Sequence, residues 1–310
     1  MIPLTLAHSP DPDDVFMWWP ITGKIDPRDP ERIVEPPVLD TGQFMFKAFP
    51  ADIDVLNRRA IERGDLDITA VSMFAWARVA ERYALTCCGS SFGEGYGPKV
   101  VVRRTPSDAS GSPAFRLARG SFDGTVAVPG VRTTAFLLLS LALGPNSFKY
   151  TELPFDQILG AVADKRADAG LLIHQSQLTF AELGLEQVLD LGAWWLDHTG
   201  LPLPLGGNAL RRDLDTRFGP GTLTEITSLL DRSIRHALDH RDESTRYAMQ
   251  FAPEISRQQA DRYIDMYVSD LTVDAGERGA AAIQRLLDEA ARIGLAPPLP
   301  QGSLDLLRPN

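Results

Sequence analysis

Cysteine is nearly missing from this 310-residue chain: there are two, Cys87 and Cys88, and they are neighbours. Adjacent cysteines rarely close an unstrained disulfide and provide no metal-ligand spacing, which argues against a disulfide scaffold and against a metal module. Both read as reduced core thiols. Long apolar runs are missing as well. The longest, Phe136 to Leu143, falls far short of the roughly 20 residues that cross a bilayer, so no membrane span is expected. Positive charge is in deficit, with 31 Lys and Arg against 41 Asp and Glu and a net charge of −10. A broad nucleic-acid interface needs the opposite balance. A small anion is still a compatible ligand, because helix N-termini and local basic groups hold anions in acidic proteins too. The start, MIPLTLAHSPDPDD, lacks a basic n-region, and Pro3 and His8 break its apolar stretch. It is not a secretory signal, and together with the reduced thiols it leads us to expect a cytoplasmic protein.

What the chain does contain is material for a large core. Hydrophobic residues make up 44% and charged residues 23%, ordinary values for a globular protein of two domains or one large one. Pro3 to Ala7 reads as a first strand, followed by a polar turn and a helix over VFMWWPITG with Asp13 or Asp14 as its N-cap. Such a crowded strand–helix junction is either a ligand site or a well-capped loop. Residues 26 to 50 read as an irregular surface excursion with a short strand. Ile53, Leu56, Ala60 and Ile61 share a helical face that Gly64 closes, and the next strand, Leu66 to Val71, ends at Ser72. A helix to Tyr83 and a strand around Leu85 to Cys88 follow.

Gly89 to Pro98 holds four glycines but neither the Gly-Lys-Ser/Thr of a Walker loop nor G-x-G-x-x-G before a helix. It suits a backbone approach to a ligand, a hinge or a turn. Lys99 to Arg103 is a strand, and residues 104 to 121 shift to Ser, Pro, Gly and Arg, which marks a boundary. After the strand Thr125 to Val128, Gly130 precedes a strongly apolar helix that starts near Thr133. Its free amides and the hydroxyls of Thr133 and Thr134 form a natural anion site, although capping alone accounts for one threonine.

Ala169 to Leu172 runs through Ile173 into His174, after a helix over Phe155 to Ala167. An apolar run in that setting is a buried parallel strand, and ligands bind beyond the carboxyl ends of such strands. Of five histidines, His174 is thus the best placed for proton transfer near neutral pH, the bland alternative being a hydrogen-bonded structural histidine. Trp194 and Trp195 are candidates for a pocket wall or for the core, with His198 as a second polar group. Leu205 to Arg211 returns to the first domain. Helices from Thr222 onward, including Arg257 to Tyr267, read as cladding. Strand–helix–strand repeats make the class α/β.

These landmarks resemble the 1,4-dihydroxy-6-naphthoate synthase family of the futalosine route to menaquinone. The matching pieces are SPDPDDVFM (Ser9 to Met17), DVLNRRAIERGDLDITAVS (Asp54 to Ser72), GEGYGP (Gly93 to Pro98), VPGVRTTAFLLLSL (Val128 to Leu141), GLLIHQS (Gly170 to Ser176) and DLGAWWLDHTGLPLPLG (Asp190 to Gly206). Their order and spacing hold over roughly 200 residues.

The resemblance implies a two-lobed α/β fold like that of periplasmic solute-binding proteins, with the ligand in a cleft between lobes. One lobe would comprise 1–103 and 206–310, the inserted one 104–205. It implies a cofactor-independent carbon–carbon lyase, without metal, acting on a small anionic substrate, cyclic dehypoxanthinyl futalosine. His174 matches the family's general base, and Thr133, Thr134 and Ala135 match its carboxylate-holding helix start. Ser72 matches a serine facing the cleft, while Ser9, Asp13 and Gly95 lie in segments that line it. The sequence departs from the family pattern at Asp11, where cysteine is common, at Asp13, where asparagine is common, and at Gln175, where glutamate is usual. Arg132 stands where histidine also occurs. A non-catalytic solute-binding protein for an anionic or aromatic ligand, and the chorismate dehydratase of the same pathway, are the competing readings; GLLIH and the AWW…TGLPLPLG segment favour the synthase. Oligomeric state is not legible.

Overall fold

The computed structural model describes residues 1–104, 122–299 and 304–310. The composition break at 104–121, apart from Arg104, lies outside the described residues.

Two sheets organise the chain. The first is six-stranded, in the order β4 (Phe44–Pro50), β1 (Ile2–His8), β5 (Ile68–Ser72), β13 (Leu203–Arg211) and β6 (Tyr83–Leu85), with β7 (Ser91–Gly93) also paired to β13. The second is five-stranded, in the order β10 (Lys149–Glu152), β9 (Thr125–Val128), β11 (Ala169–Leu172), β8 (Lys99–Arg103) and β12 (Leu185–Asp190). A small hairpin pairs β2 (Lys24–Asp26) with β3 (Asp29–Glu35).

Parallel pairing holds β4 to β1, β1 to β5, β10 to β9 and β9 to β11, as strand–helix–strand repeats require. The strands that cross between sheets break this rule. β8 runs antiparallel to β11 and β12, and β13 runs antiparallel to β5, β6 and β7. A strand that arrives from the other sheet has no crossover helix over its own sheet to dictate its direction.

Two sequence expectations change here. Lys99–Arg103, grouped above with the first lobe, pairs in the second sheet, so the first crossing lies between Gly93 and Lys99. Residues 26 to 50 are more ordered than an irregular excursion. β4 pairs with β1 from Ile2↔Phe44 to His8↔Pro50, burying Phe44 and Phe46 and turning Met45 and Phe49 outward.

The two crossings touch backbone to backbone. A Cβ on Gly192 would fall 1.9 Å from the carbonyl oxygen of Tyr96, and one on Gly97 would fall 3.0 Å from the Gly192 amide. The glycines of GEGYGP therefore serve close chain packing at the crossing.

Helix α1 (Pro12–Thr22) is buried on every side, with no polar face for solvent. Its N-cap is Asp11, with Pro12 in the first turn, and neither Asp13 nor Asp14 caps it. The helices Thr222–Asp239, Arg241–Ala248 and Arg257–Tyr267 wrap it. Ser244 Oγ accepts from Trp19 Nε1 at 3.0 Å, and Ser233 Oγ donates to the Met17 carbonyl at 2.6 Å. The C-terminal helices supply the wall that a helix buried on every side needs. Helix α2 (Ile53–Glu62) follows β4, with the Asp52 side chain accepting from Asp54 N as its cap. The short helix α3 (Met73–Trp76) ends well before Tyr83. Helix α4 (Thr134–Leu143) follows β9, and α5 (Phe155–Ala163) follows β10. Hydrophobic residues of both sheets, such as Leu6, Val71, Val100 and Val126, belong to one continuous cluster.

Candidate active site

A cavity of about 110 Å³ opens where the carboxyl ends of β1, β5 and β11 meet the start of α4. Ser9, Asp13, Ser72, Thr133, Thr134, Ala135 and His174 all line it. Gly95 does not; the glycine-rich segment contributes Gly89, Ser91 and Pro98 instead. A Cβ on Gly95 would meet Leu196 at 3.4 Å, on the crossing.

His174 sits two residues past the end of β11, in the left-handed region with φ 58°. A non-glycine residue pays about 1 kcal/mol for that conformation, so the surroundings must hold it there. Nδ1 contacts Oδ2 of Asp11. The edge of the Phe155 ring lies against the imidazole, with centroids 4.7 Å apart. Nε2 is buried and has no hydrogen-bond partner among the described residues. Burial on its own lowers the pKa of this imidazole, but the charge and hydrogen bond of Asp11, aided by Asp52 and Asp13, outweigh it and leave the pKa raised.

The β1–α1 turn is a knot of buried acids. Asp11 Oδ2 accepts from Ser9 Oγ at 2.8 Å, and Asp14 Oδ2 accepts from the Ser9 amide at 2.8 Å. Oδ1 of Asp11 is buried without a partner among the described residues. Asp13 Oδ2 accepts from Ser91 Oγ at 3.1 Å. Burial and then the Asp11 charge push the Asp13 carboxyl up to about 6, and burial followed by Asp13 pushes Asp14 well above the usual carboxylate range. His8, whose Nδ1 donates to the Ser9 carbonyl at 2.7 Å, is pushed down to about 4 by burial.

The opposite wall is the start of α4. Both threonine hydroxyls are already committed. Thr133 Oγ1 donates to the Gly130 carbonyl at 2.8 Å and accepts from the Phe136 amide at 3.2 Å. Thr134 Oγ1 donates to the Leu205 carbonyl at 2.6 Å and accepts from the Phe74 amide at 3.3 Å. With the hydroxyls engaged, the donors this wall could offer an anion are the backbone amides of Thr134 and Ala135, which have no carbonyl ahead of them in the helix. Ser72 accepts from Asn57 Nδ2 at 3.0 Å, so its own proton is free for a ligand, and the Ser72 amide donates to Asn57 Oδ1 at 2.9 Å.

Several lining residues escaped the sequence reading. Asn208 donates to the Gly89 carbonyl at 2.8 Å and leaves Oδ1 buried without a partner among the described residues. Tyr263 and Tyr267, in a helix read as cladding, face the cavity, and the Tyr267 hydroxyl donates to Gln177 Oε1 at 3.2 Å. No local signal marks them; a helix far down the chain reaches the site through its packing on α1 and β7. Asn57, which stands behind Ser72 and outside the lining, had a signal, a polar residue interrupting a helical apolar face. Trp194, Trp195 and His198 lie outside the lining. Trp195 is core, with Nε1 donating to the Pro202 carbonyl at 3.1 Å, and His198 is exposed against the Trp194 ring and carbonyl. Gln175 also lies outside the lining and donates to Glu254 at 2.7 Å, whereas Asp11 and Asp13 are in the wall.

The sequence pattern of a family described as menaquinone biosynthesis matches residues 4–292. The chain belongs to that family. Within it, a 1,4-dihydroxy-6-naphthoate synthase of Thermus thermophilus is 38% identical over 96% of this chain and 97% of its own. Its namesake from Streptomyces coelicolor is 37% identical over 96% and 95%. The crystal structure of an Archaeoglobus fulgidus protein, 35% identical, superposes with a TM-score of 0.77 over 94% of this chain and 98% of its own. At the level of fold, an alkanesulfonate-binding protein from Xanthomonas axonopodis pv. citri superposes with a TM-score of 0.62 at 13% identity, over 96% and 95% of the two chains. The fold of this family member is thus that of the periplasmic solute-binding proteins. Among the described residues, no helix is long and apolar enough to cross a membrane.

Proposed function

We propose that the protein is a 1,4-dihydroxy-6-naphthoate synthase, a carbon–carbon lyase that converts cyclic dehypoxanthinyl futalosine to 1,4-dihydroxy-6-naphthoate in the cytoplasm. The naming of its relatives supports the reaction. The observation that carries the mechanism is His174, with Nδ1 held and Nε2 left without a partner among the described residues, in the wall of a cavity whose other side is an open helix start.

The substrate's aryl carboxylate lies at the amides of Thr134 and Ala135, where the helix dipole favours negative charge. The sugar-derived end then faces His174 and the acids of the β1–α1 turn, where an anion is least welcome. Nε2 of His174 removes a proton, and an enolate-like charge develops. The Ser72 hydroxyl supplies a hydrogen bond from the cavity wall. The bond to the sugar-derived fragment breaks as the ring becomes aromatic, and the imidazolium returns its proton to the departing fragment. Aromatisation provides the driving force, and the scheme calls for no electron acceptor. The two sheets are the cores of two lobes, and their closure keeps water from the intermediate.

The experiment is turnover of purified protein with cyclic dehypoxanthinyl futalosine and no added cofactor, followed by mass. Product forms, and His174→Ala lowers the rate by about 100-fold or more with the thermal transition preserved. Binding without turnover overturns the enzyme reading in favour of a solute-binding protein.

A further inference from the structure

Asp11 and His174 follow strands of different sheets: Asp11 lies beyond β1, and His174 beyond β11. The Asp11 oxygen that meets Nδ1 also accepts the Ser9 hydroxyl proton at 2.8 Å, so the carboxylate is fixed before the imidazole docks on it. Phe155 holds the ring from the side, and the left-handed backbone at residue 174 aims it. We propose that Asp11 is the positioning residue of the base: it fixes the proton of neutral His174 on Nδ1, leaves the lone pair on Nε2, and stabilises the imidazolium formed after proton abstraction. The inference rests on His174 being the base, as proposed above.

The chemistry follows from the contact. A carboxylate oxygen only accepts, so a neutral imidazole that bonds to it through Nδ1 must carry its hydrogen there. The proton to be abstracted then has one nitrogen to go to. Once Nε2 is protonated, the same carboxylate faces a full positive charge at a distance where attraction is strong. Asp13 in the first turn of α1 and Asp52 before α2 add negative charge, and the neighbour on α5 is the uncharged Phe155. Because the pair joins two sheets, the base is complete only when the two halves are apposed as they are here.

The test reads the imidazole directly. Nitrogen-15 and proton spectra of His174 in the wild-type protein should show the Nδ1–H tautomer and a titration midpoint above the ordinary 6.5. Asp11→Asn should move the midpoint down by about one unit or more, carry the acidic limb of kcat/KM down with it, and lower kcat about 100-fold or more, with KM nearly unchanged. Ser9→Ala should shift the midpoint in the same direction by less. An Nε2–H tautomer in the wild type overturns the proposal without recourse to any variant, as does a midpoint in Asp11→Asn equal to that of the wild type. A wild-type protein with the expected spectra but no lyase turnover refutes the reaction and leaves the Asp11–His174 relation standing.

Discussion

His174 meets Asp11 through Nδ1, and the two residues reach each other from the ends of strands in separate sheets. One contact therefore couples an imidazole's protonation to the apposition of the two halves of the molecule. It makes the turn after β1, which lines the cavity from the acidic side, as much a part of the site as the strand end that carries the histidine.

Asn57 is fully buried and spends both ends of its amide on Ser72. Asn57→Ala leaves the Ser72 amide buried without a partner and frees its hydroxyl to turn away. We expect a loss of about 1–3 kcal/mol in stability by urea denaturation, together with a rise in KM. A variant as stable as the wild type contradicts the assignment.

Asp13 stabilises the fold in its protonated form. Its folded pKa of about 6 lies above the ordinary 3.8, so the native state holds more protons than the unfolded chain between those values, and stability falls as pH rises through that window. Two units correspond to about 3 kcal/mol, an upper value for a group with charged neighbours. Asp13→Asn should therefore be more stable than the wild type by about 1–3 kcal/mol at pH 7.5, with the gain vanishing near pH 4.

His8 works in the opposite direction: with a folded pKa of about 4 against 6.5, it costs stability as pH falls through that range. The two contributions oppose each other in the wild type, so Asp13→Asn should also lose stability faster on acidification. Denaturation at pH 7.5 and 4.5 checks both; a gain equal at the two pH values rules the account out.

Thr133 caps α4, with its hydroxyl fully occupied by the Gly130 carbonyl and the Phe136 amide. Thr133→Ala should cost about 1 kcal/mol of stability and leave KM for the carboxylate-bearing substrate little changed. A large rise in KM with stability intact would return the hydroxyl to the ligand.

Much of the site was legible locally. His174 stands out because an apolar strand ends beside it, and the α4 start stands out because glycine, two threonines and an apolar helix occur in that order. The threonines were over-read, however: their hydroxyls look like ligand donors in sequence but are consumed by Leu205, Phe74, Gly130 and Phe136. The GEGYGP glycines were over-read in the same way, since a glycine that admits a ligand and one that admits a neighbouring backbone look alike. A short strand was expected within residues 26 to 50, but neither the full length of β4 nor the hairpin was, because the proline and charge around FMFKAFP imitate a loop.

Most strand and helix positions, and the placing of one histidine at the end of an apolar strand, were set by the sequence alone, since periodicity, capping and apolar run length act over a few residues. The partners of those residues were decided by tertiary structure. Asp11 on His174, Asn57 on Ser72, Tyr267 on Gln177 and the crossing of β8 into the second sheet are contacts between distant stretches of chain. Such contacts depend on which surfaces pack together, and local residue preferences carry no record of that.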